Sequence, residues 1–252
     1  MGKYRNVWIT FLFVLYSAAY AGPEKFDHLD AFKNTTVKLD GPSEELVKDN
    51  SGKEIARASY KYNEKKQIIE IDFFKDAAND GKNLFIYDEK GLKQEELYDK
   101  NNHLVEKVIY VRNNANQVTQ FEVFDGNNKS LLLWKFQYNN NRVASGSRYI
   151  DNALTERFIY EYSGQSIIQH LYFDDNSIAG SVVTDIKNAR VIKRTKKEPA
   201  GARKIEYYYD SAGRIEKMIF FSEEESRSKI EKIHLFNYTL PLVFQPIKLT
   251  KH

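Results

Sequence analysis

The sequence of 252 residues lacks cysteine and is poor in proline and glycine, with 5 Pro and 12 Gly. Without cysteine the chain cannot build disulfide scaffolds, Cys-zinc sites, iron–sulfur clusters, a thiol nucleophile or a lipidated cysteine anchor. The scarcity of Gly and Pro excludes collagen-like and low-complexity chains. The sequence is 42% hydrophobic, with 38 Lys and Arg against 35 Asp and Glu. Such a chain can bury a core, and its balanced charge offers no overall attraction for nucleic acid.

Long hydrophobic runs are also rare, and the clearest one lies at the start of the chain. Residues 1–21 combine the basic residues Lys3 and Arg5, an apolar run over 7–16 and the small-residue pattern 19–21. These features predict a secretory signal peptide that is cleaved before Gly22. An uncleaved membrane anchor is the alternative, but the run is short against the roughly 20 residues that a spanning helix needs.

Internal repetition is the strongest signal in the rest of the chain. Pairs of the form aromatic-x-Tyr recur just before polar turns, with Val108/Tyr110 as a weaker member; their second members are 25, 23, 28, 24, 47 and 29 residues apart. The pairs are Tyr60/Tyr62, Phe85/Tyr87, Phe136/Tyr138, Tyr160/Tyr162, Tyr207/Tyr209 and Phe236/Tyr238. A second series interleaves with them and consists of Tyr98, Phe124, Tyr149 and Phe173. Together the two series divide the chain into lengths typical of one short strand and one turn.

The turns between these strands are rich in Asp, Asn and Gly, as at 88–91, 99–102, 125–128 and 210–213. Asn and Gly tolerate the left-handed conformation that tight turns require, and loops this short join only antiparallel neighbours. The sequence therefore predicts an all-β fold: an antiparallel meander of about 13–15 short strands, built from a two-strand repeat of about 24–25 residues. A short helix is expected at 43–48 with Ser43 as its N-cap.

The predicted organisation is a signal peptide at 1–21, a loosely attached polar segment at 22–50, a β-repeat domain at 51–238 and an apolar tail at 239–252. A linear array of strands leaves two edges that must be capped or paired. We expect the polar segment to blunt the first edge. The tail, with Leu242 and Phe244, is expected to seal the last edge or to dock onto a partner.

One turn-and-strand unit, Tyr209-Asp210-Ser211-Ala212-Gly213, resembles the YD repeat of RHS-type bacterial proteins. Tyr87-Asp88, followed by Gly91, is a second match, and Tyr98-Asp99 and Phe124-Asp125 are degenerate copies. The two-strand period also resembles the MORN-variant repeats of exported bacterial proteins. The resemblance covers roughly residues 55–221. It implies an extended or wrapped antiparallel sheet that encloses, binds or scaffolds something, and it implies no catalytic residues.

A basic stretch at 193–204 falls inside the step of 47 residues and contains Pro199 and Gly201, so it predicts a protruding loop. Its basic residues are candidates for contact with an anionic partner such as an envelope polymer or a lipid head group. The candidate partner-binding residues are Lys193, Arg194, Lys196, Lys197 and Arg203, together with Leu242 and Phe244 of the tail. A solvated loop is the competing interpretation, because charge runs usually lie in solvent.

The sequence contains no catalytic, phosphate-binding or dinucleotide-binding motif. Its histidines are scattered without the spacing of metal ligands. The best constellation is His170 with Asp174 and Asp175, which could move a proton or bind a metal, although a surface histidine beside turn carboxylates is the more common arrangement and no nucleophile or second base accompanies it. We therefore predict no catalytic residue, no metal and no cofactor.

The predicted function is that of an exported, non-enzymatic β-repeat protein of the bacterial cell envelope, acting as a structural or binding module. Its expected partner is an envelope protein or a surface polymer, with no nucleic acid and no membrane span after cleavage. Its expected location is the periplasm or the cell surface. An exported hydrolase or toxin-like factor with a dispersed site is the second hypothesis, and an outer-membrane β-barrel is the third.

Overall fold

The computed structural model describes residues 41–224 and 227–238 and arranges them as a closed antiparallel β-barrel. Every strand pairs with its neighbours in sequence, and β16 pairs with β1 to close the sheet. In chain order the strands are β1 (Glu44–Asp49), β2 (Glu54–Tyr62), β3 (Ile68–Lys75), β4 (Ala78–Asp88), β5 (Gly91–Asp99), β6 (Leu104–Arg112), β7 (Val118–Asp125), β8 (Ser130–Asn139), β9 (Arg142–Ile150), β10 (Ala153–Tyr162), β11 (Ser166–Phe173), β12 (Ile178–Lys187), β13 (Arg190–Glu198), β14 (Gly201–Tyr209), β15 (Ile215–Glu224) and β16 (Arg227–Asn237).

The all-β antiparallel fold is confirmed, with 16 strands and a sheet that wraps until it closes. The helix expected at 43–48 is wrong, because these residues form β1 between β2 and β16. In this strand Glu45 and Val47 are buried while their neighbours are less so, which is the period of two that a strand requires. The open edges expected of a linear array are also wrong, since β1 supplies the partner for β16.

The turns follow the predicted Asp/Asn chemistry. In four of them both central residues have positive φ, which is the type I′ geometry that suits the twist of a hairpin. These turns are at 76–77, 140–141, 151–152 and 188–189. Longer turns use an Asp at the first position, as where Asp99 Oδ1 accepts hydrogen bonds from the backbone N–H groups of Asn101 and His103 at 2.9 and 2.8 Å.

The repeat is more regular in the structure than the aromatic residues indicate. An aliphatic residue follows each turn at one end of the barrel and pairs with the last residue of an aromatic doublet or its equivalent. The series is Ile68, Leu92, Val118, Val143, Ile167, Val191 and Ile215. In β6 and β12 the second position of the doublet is occupied by Arg112 and Ile186. Ile186 lies about midway between Tyr162 and Tyr209, so the step of 47 residues consists of two ordinary repeats.

The tyrosine hydroxyls at this end of the barrel bond to the backbone. The second tyrosine of a doublet donates to the carbonyl of the aliphatic residue that opens the preceding strand. Tyr138 bonds to Val118 at 2.7 Å and Tyr162 bonds to Val143 at 2.8 Å. Tyr209 and Tyr238 make the same contact with Val191 and Ile215 at 2.6 and 2.8 Å. We call this end the tyrosine rim.

The protruding loop expected at 193–204 is wrong. Most of this stretch belongs to β13 and β14, which form a tight hairpin around 199–200. The sequence was misleading because β12 carries Thr184 and Ile186 where other repeats carry aromatic residues, so a regular repeat resembled an insertion.

The inner wall of the barrel is packed. Buried apolar side chains point inward from β6–β12 and form the main core around Phe121, Trp134, Phe136 and Phe158. A smaller core of Val191, Ile205, Tyr207 and Phe220 lines β13–β15. A round barrel of 16 strands leaves a water-filled channel, whereas here the inner side chains of most strands are withdrawn from solvent. The barrel is therefore filled by its own side chains.

Candidate functional site

The inner wall carries one position whose chemistry varies from repeat to repeat. Each even-numbered strand carries an aromatic doublet or its equivalent. The position is the residue directly opposite the first member of that doublet on the next strand around the barrel, where β1 comes next after β16. In chain order this position holds Glu45, Ile71, Glu95, Phe121, Gly146, Gln169, Arg194 and Met218. We call it the equatorial position. Four of its occupants are polar and buried, at exposures from 3 to 7%. Since buried polar groups are costly without partners, they mark the candidate functional interior.

Glu45 lies at the seam where β1 meets β16. Its Oε2 accepts a hydrogen bond from the Tyr60 hydroxyl at 2.5 Å, and its Oε1 contacts Nδ1 of His234. The ring of His234 lies 4.6 Å from the ring of Phe220, and the Lys232 ammonium lies 4.5 Å from the same ring. The contacts of Glu45 therefore tie β2, β1 and β16 together where the barrel closes.

The electrostatics of this seam favour an ionised glutamate beside a neutral histidine. Burial acts to raise the pKa of Glu45, but hydrogen bonds and charge from His234, together with the Tyr60 hydroxyl, hold this pKa below its usual value. Burial lowers the pKa of His234, against the opposing pull of Glu45. A neutral His234 then donates its Nδ1–H to the carboxylate. Burial and the nearby carboxylate raise the pKa of Tyr60, so its hydroxyl remains a donor.

The same arrangement recurs two repeats later. Glu95 on β5 contacts the Tyr110 hydroxyl through Oε1 and accepts a hydrogen bond from Nδ2 of Asn83 at 3.3 Å through Oε2. Burial and the charge of Glu95 raise the pKa of Tyr110. Both networks hold a carboxylate in a fixed position with tyrosine donors, and a second buried glutamate, Glu106, lies on the adjacent strand.

The predicted partner-binding residues of the basic stretch are divided between the two faces of one hairpin. Lys193 and Lys197 face outward, and Lys193 pairs with Asp185 at 2.6 Å. Arg194 faces inward at 3% exposure, opposite the buried Thr184. Lys196 and Arg203 also face inward, directly opposite each other in the β13–β14 register. The structure thus brings Arg194, Lys196 and Arg203 together and separates them from Lys193 and Lys197.

The pair Lys196 and Arg203 continues along the register into the next strands. Arg203 is opposite Ser222 of β15, and Ser222 is opposite Lys229 of β16. We call Lys196, Arg203, Ser222 and Lys229 the mouth row, because Arg203 and Lys229 are exposed at the end of the barrel opposite the tyrosine rim. Adjacent strands are about 4.8 Å apart, so the row spans about 14 Å of the inner wall.

The remaining predicted residues do not form a site. His170 lies on the outer wall with Nε2 3.3 Å from Glu161 Oε1, and Asp175 binds Ser177 within its own turn. The constellation of His170 with Asp174 and Asp175 is therefore not assembled. Leu242 and Phe244 lie outside the described residues, as do the signal peptide and the tail.

Sequence reasoning missed the seam. Glu45 was assigned to a polar segment and His234 was one of several scattered histidines, because their proximity depends on closure across 189 residues. A usable signal exists in hindsight: Glu45/Tyr60 and Glu95/Tyr110 have the same separation of 15 residues, and the two pairs are two repeats apart.

Known proteins resemble this chain in structure but not in sequence. No protein-family model matches the sequence, and no curated protein matches it. A solved structure, a porin-like protein from Bacteroides uniformis ATCC 8492, is similar with a TM-score of 0.52 at 11% identity, over 79% of this chain and 96% of that one. The TcdB2-TccC3 structure aligns over 73% of this chain and 11% of that one, at 10% identity and a TM-score of 0.28, too low to equate the folds. By its fold the chain is a closed antiparallel β-barrel protein.

Two further findings concern the described residues only. They contain no cluster of three or more His, Cys, Asp or Glu placed to hold a metal ion. No helix within them is long and apolar enough to cross a bilayer.

Proposed function

We propose that this chain is an exported β-barrel of the bacterial cell envelope whose outer wall faces water, and that it acts without catalysis as a structural or binding module. The observation that carries the proposal is the distribution of polarity across the wall. Apolar side chains make up most of the packed inside, with a few buried polar groups among them, and charged side chains are spread over the outside. A barrel that spans a membrane as an open pore has the opposite arrangement.

The charged residues of the outer wall lie within the strands as well as at their ends. They alternate with the buried inner residues and occur on most strands around the barrel. Examples are Lys61, Asp72, Lys82, Glu96, Lys107, Glu122, Lys135, Arg157, Glu161, Asp185, Lys193, Glu206 and Lys217. A Lys or Arg at the middle of a lipid-facing strand costs about 2–4 kcal/mol, so a set of this size opposes insertion.

Ion pairs along and between the strands of the outer wall support the same view. Lys61 lies 2.9 Å from Asp72, and Lys204 lies 3.2 Å from Glu206 and 3.7 Å from Glu223. In water such pairs are nearly neutral in energy, whereas in hydrocarbon both partners would have to be desolvated. An outer wall of this kind is suited to contact with solvent, with another protein or with a polar polymer.

The absence of catalysis is a proposal that rests on how the polar groups are held. Glu45 and Glu95 are buried in the inner wall, and each is held by a hydrogen bond from a tyrosine hydroxyl. His170 is held on the outer wall beside one carboxylate.

An outer-membrane barrel is the second candidate. It is supported by closure at an even number of strands, by strands of mostly 9–11 residues and by the likeness to the solved structure of a porin-like protein. Most strands are long enough to cross a membrane, so the argument against insertion depends on the outer charges.

Cell fractionation tests the proposal. The full chain, produced with its own N-terminus in a Gram-negative host, is expected in the osmotic-shock or carbonate-soluble fraction without detergent. Recovery only from the detergent-extracted outer membrane, as a band whose migration changes on heating, would overturn the proposal in favour of the second candidate. The host's own porins provide the positive control for both readouts.

A further inference from the structure

The mouth row places positively charged side chains next to one another on the inner wall. Lys196 and Arg203 are directly opposite in an antiparallel pair, where like charges destabilise a sheet. Arg194 lies one inward position deeper on β13 and is buried. Lys229 extends the row beyond Ser222, so three cations and one hydroxyl line four adjacent strands.

The deeper row repeats the positive charge. Arg194, Ile205, Phe220 and Lys232 are successive partners across β13–β16. Lys232 is mostly buried, and burial lowers its pKa. Cations are thus stacked in two layers at the same sector of the inner wall, and the outer layer opens to solvent at Arg203 and Lys229.

On the outer wall of the same hairpin, cations pair with acidic side chains of neighbouring strands. Lys193 is matched by Asp185 on the neighbouring strand, and Lys204 is matched by Glu223 on β15 and by Glu206 two residues along its own strand. On the inner wall, Lys196 contacts Glu198 at 2.7 Å, two residues along its own strand at the turn. Two cations of the mouth row face each other across the strands where the outer wall places opposite charges.

We propose that the mouth row binds an anion with two or more phosphate groups, through Lys196, Arg203 and Lys229, with Ser222 as an additional hydrogen-bond donor. Phosphate suits this set, because arginine binds it through two N–H groups, and lysine and serine supply further donors. The spacing of adjacent strands lets several phosphates be held at once. The site does not depend on where the barrel resides in the cell.

The test compares two double variants of the full chain that remove the same charge from opposite faces. Lys196→Gln with Arg203→Gln neutralises the mouth row, and Lys193→Gln with Lys197→Gln neutralises the outer face of β13. Binding of sodium tripolyphosphate is measured by calorimetry at low salt, with inorganic phosphate for comparison. We expect the unmodified protein to bind tripolyphosphate more tightly than phosphate. The inner variant should lose at least about tenfold in affinity and the outer variant less than about twofold.

Vesicles with and without phosphatidylglycerol distinguish the source of the phosphate. Binding of tripolyphosphate alone identifies a soluble polyphosphorylated ligand. Additional binding to the anionic vesicles that depends on the mouth row identifies a lipid head group. Both results support the site.

A third variant separates binding from stability. Arg203→Glu places a carboxylate opposite Lys196, so it should leave the melting temperature unchanged or higher while abolishing the binding. The proposal is overturned if the unmodified protein does not bind tripolyphosphate, or if the inner and outer variants lose affinity equally. It is also overturned if the inner variants lose binding only because they lose their β-sheet circular dichroism.

Discussion

Two sectors of the barrel share one repeat and differ in what they bury. The apolar sector, β6–β12, fills its interior with stacked aromatic rings such as Trp134 and Phe158, whose centroids are 5.4 Å apart. The polar sector, β13–β16 with β1–β5, buries the charged residues Glu45, Glu95 and Arg194 at the equatorial position, where the apolar sector has Phe121, Gly146 and the uncharged Gln169. Backbone pairing and turns are alike in both.

The difference indicates that the two sectors have different roles. At Gly146 an added Cβ would lie 2.2 Å from the ring of Phe158, so the glycine lets that ring cross β9 and reach Phe136. Such packing serves stability, because each buried ring removes a large apolar area from water. Buried charges serve stability poorly, so the charged occupants of the equatorial position, which all lie in the polar sector, point to specificity or binding.

The largest expected effect is in the apolar sector. Phe158→Ala should destabilise the barrel by about 3–5 kcal/mol, because it empties a fully buried site at the centre of the aromatic cluster. Urea unfolding followed by Trp fluorescence measures the change. The adjacent Ile159 lies on the outer wall at 49% exposure, so Ile159→Ala should reduce the free energy of unfolding far less. Equal costs would show that the inner wall is not the core.

In the polar sector, Glu45→Ala should cost about 3 kcal/mol or more, since it leaves Tyr60 and His234 buried without their shared acceptor. The matched control is Glu44→Ala, which removes a half-exposed carboxylate that pairs with Arg57 at 3.0 Å on the outer wall. The control should retain nearly all of the stability. A Glu45→Ala barrel as stable as the control would refute the seam as a structural lock.

The seam should also make stability depend on pH. The pKa values of His234 and Glu45 are both lower in the folded protein than their usual 6.5 and 4.5. Below pH about 6.5 the unfolded chain takes up a proton at His234 that the folded protein does not bind. The free energy of unfolding therefore decreases as the pH is lowered, by up to about 1.4 kcal/mol per pH unit. Denaturant midpoints between pH 8 and 5 test this.

His234→Asn should flatten that pH profile, whereas His103→Asn, at an exposed turn beside Asp99, should leave its shape unchanged. An identical slope in the unmodified protein and in His234→Asn would contradict the assignment of a neutral histidine at the seam.

The smallest effect should be the same in both sectors. Tyr162→Phe and Tyr209→Phe each remove one hydrogen bond to a backbone carbonyl at the tyrosine rim, so each should cost about 1 kcal/mol. Tyr208→Phe, on the outer wall beside Glu206, provides the control. A marked difference between Tyr162→Phe and Tyr209→Phe would show that the rim is not a uniform repeat.

The sequence was most informative where the physics is local. Turn residues such as Asn102 and Asn116 adopt the positive φ that their type favours, and the alternation of strands such as β7 follows directly from the pleat. Closure was not accessible, because nothing local to Glu44–Asp49 shows that the strand will pair with a segment almost 190 residues away. The assignment of the β13 side chains to the inner or the outer wall could not be predicted for a related reason. In a run of basic residues the two faces look alike, and only the pairing register with β14 shows which residues point inward.

The central claim, that the outer wall faces water while the inner wall is packed, is tested most directly by single-cysteine labelling. The chain has no cysteine of its own, so Lys135→Cys and Ile159→Cys on the outer wall and Val108→Cys and Val182→Cys on the inner wall give clean probes. A charged, membrane-impermeant maleimide is applied to the native protein in its cell fraction without detergent, and again after denaturation. We predict rapid labelling at the two outer positions and protection at the two inner ones until the protein unfolds. Outer cysteines shielded by lipid, with inner cysteines labelled through a water-filled channel, would contradict the account.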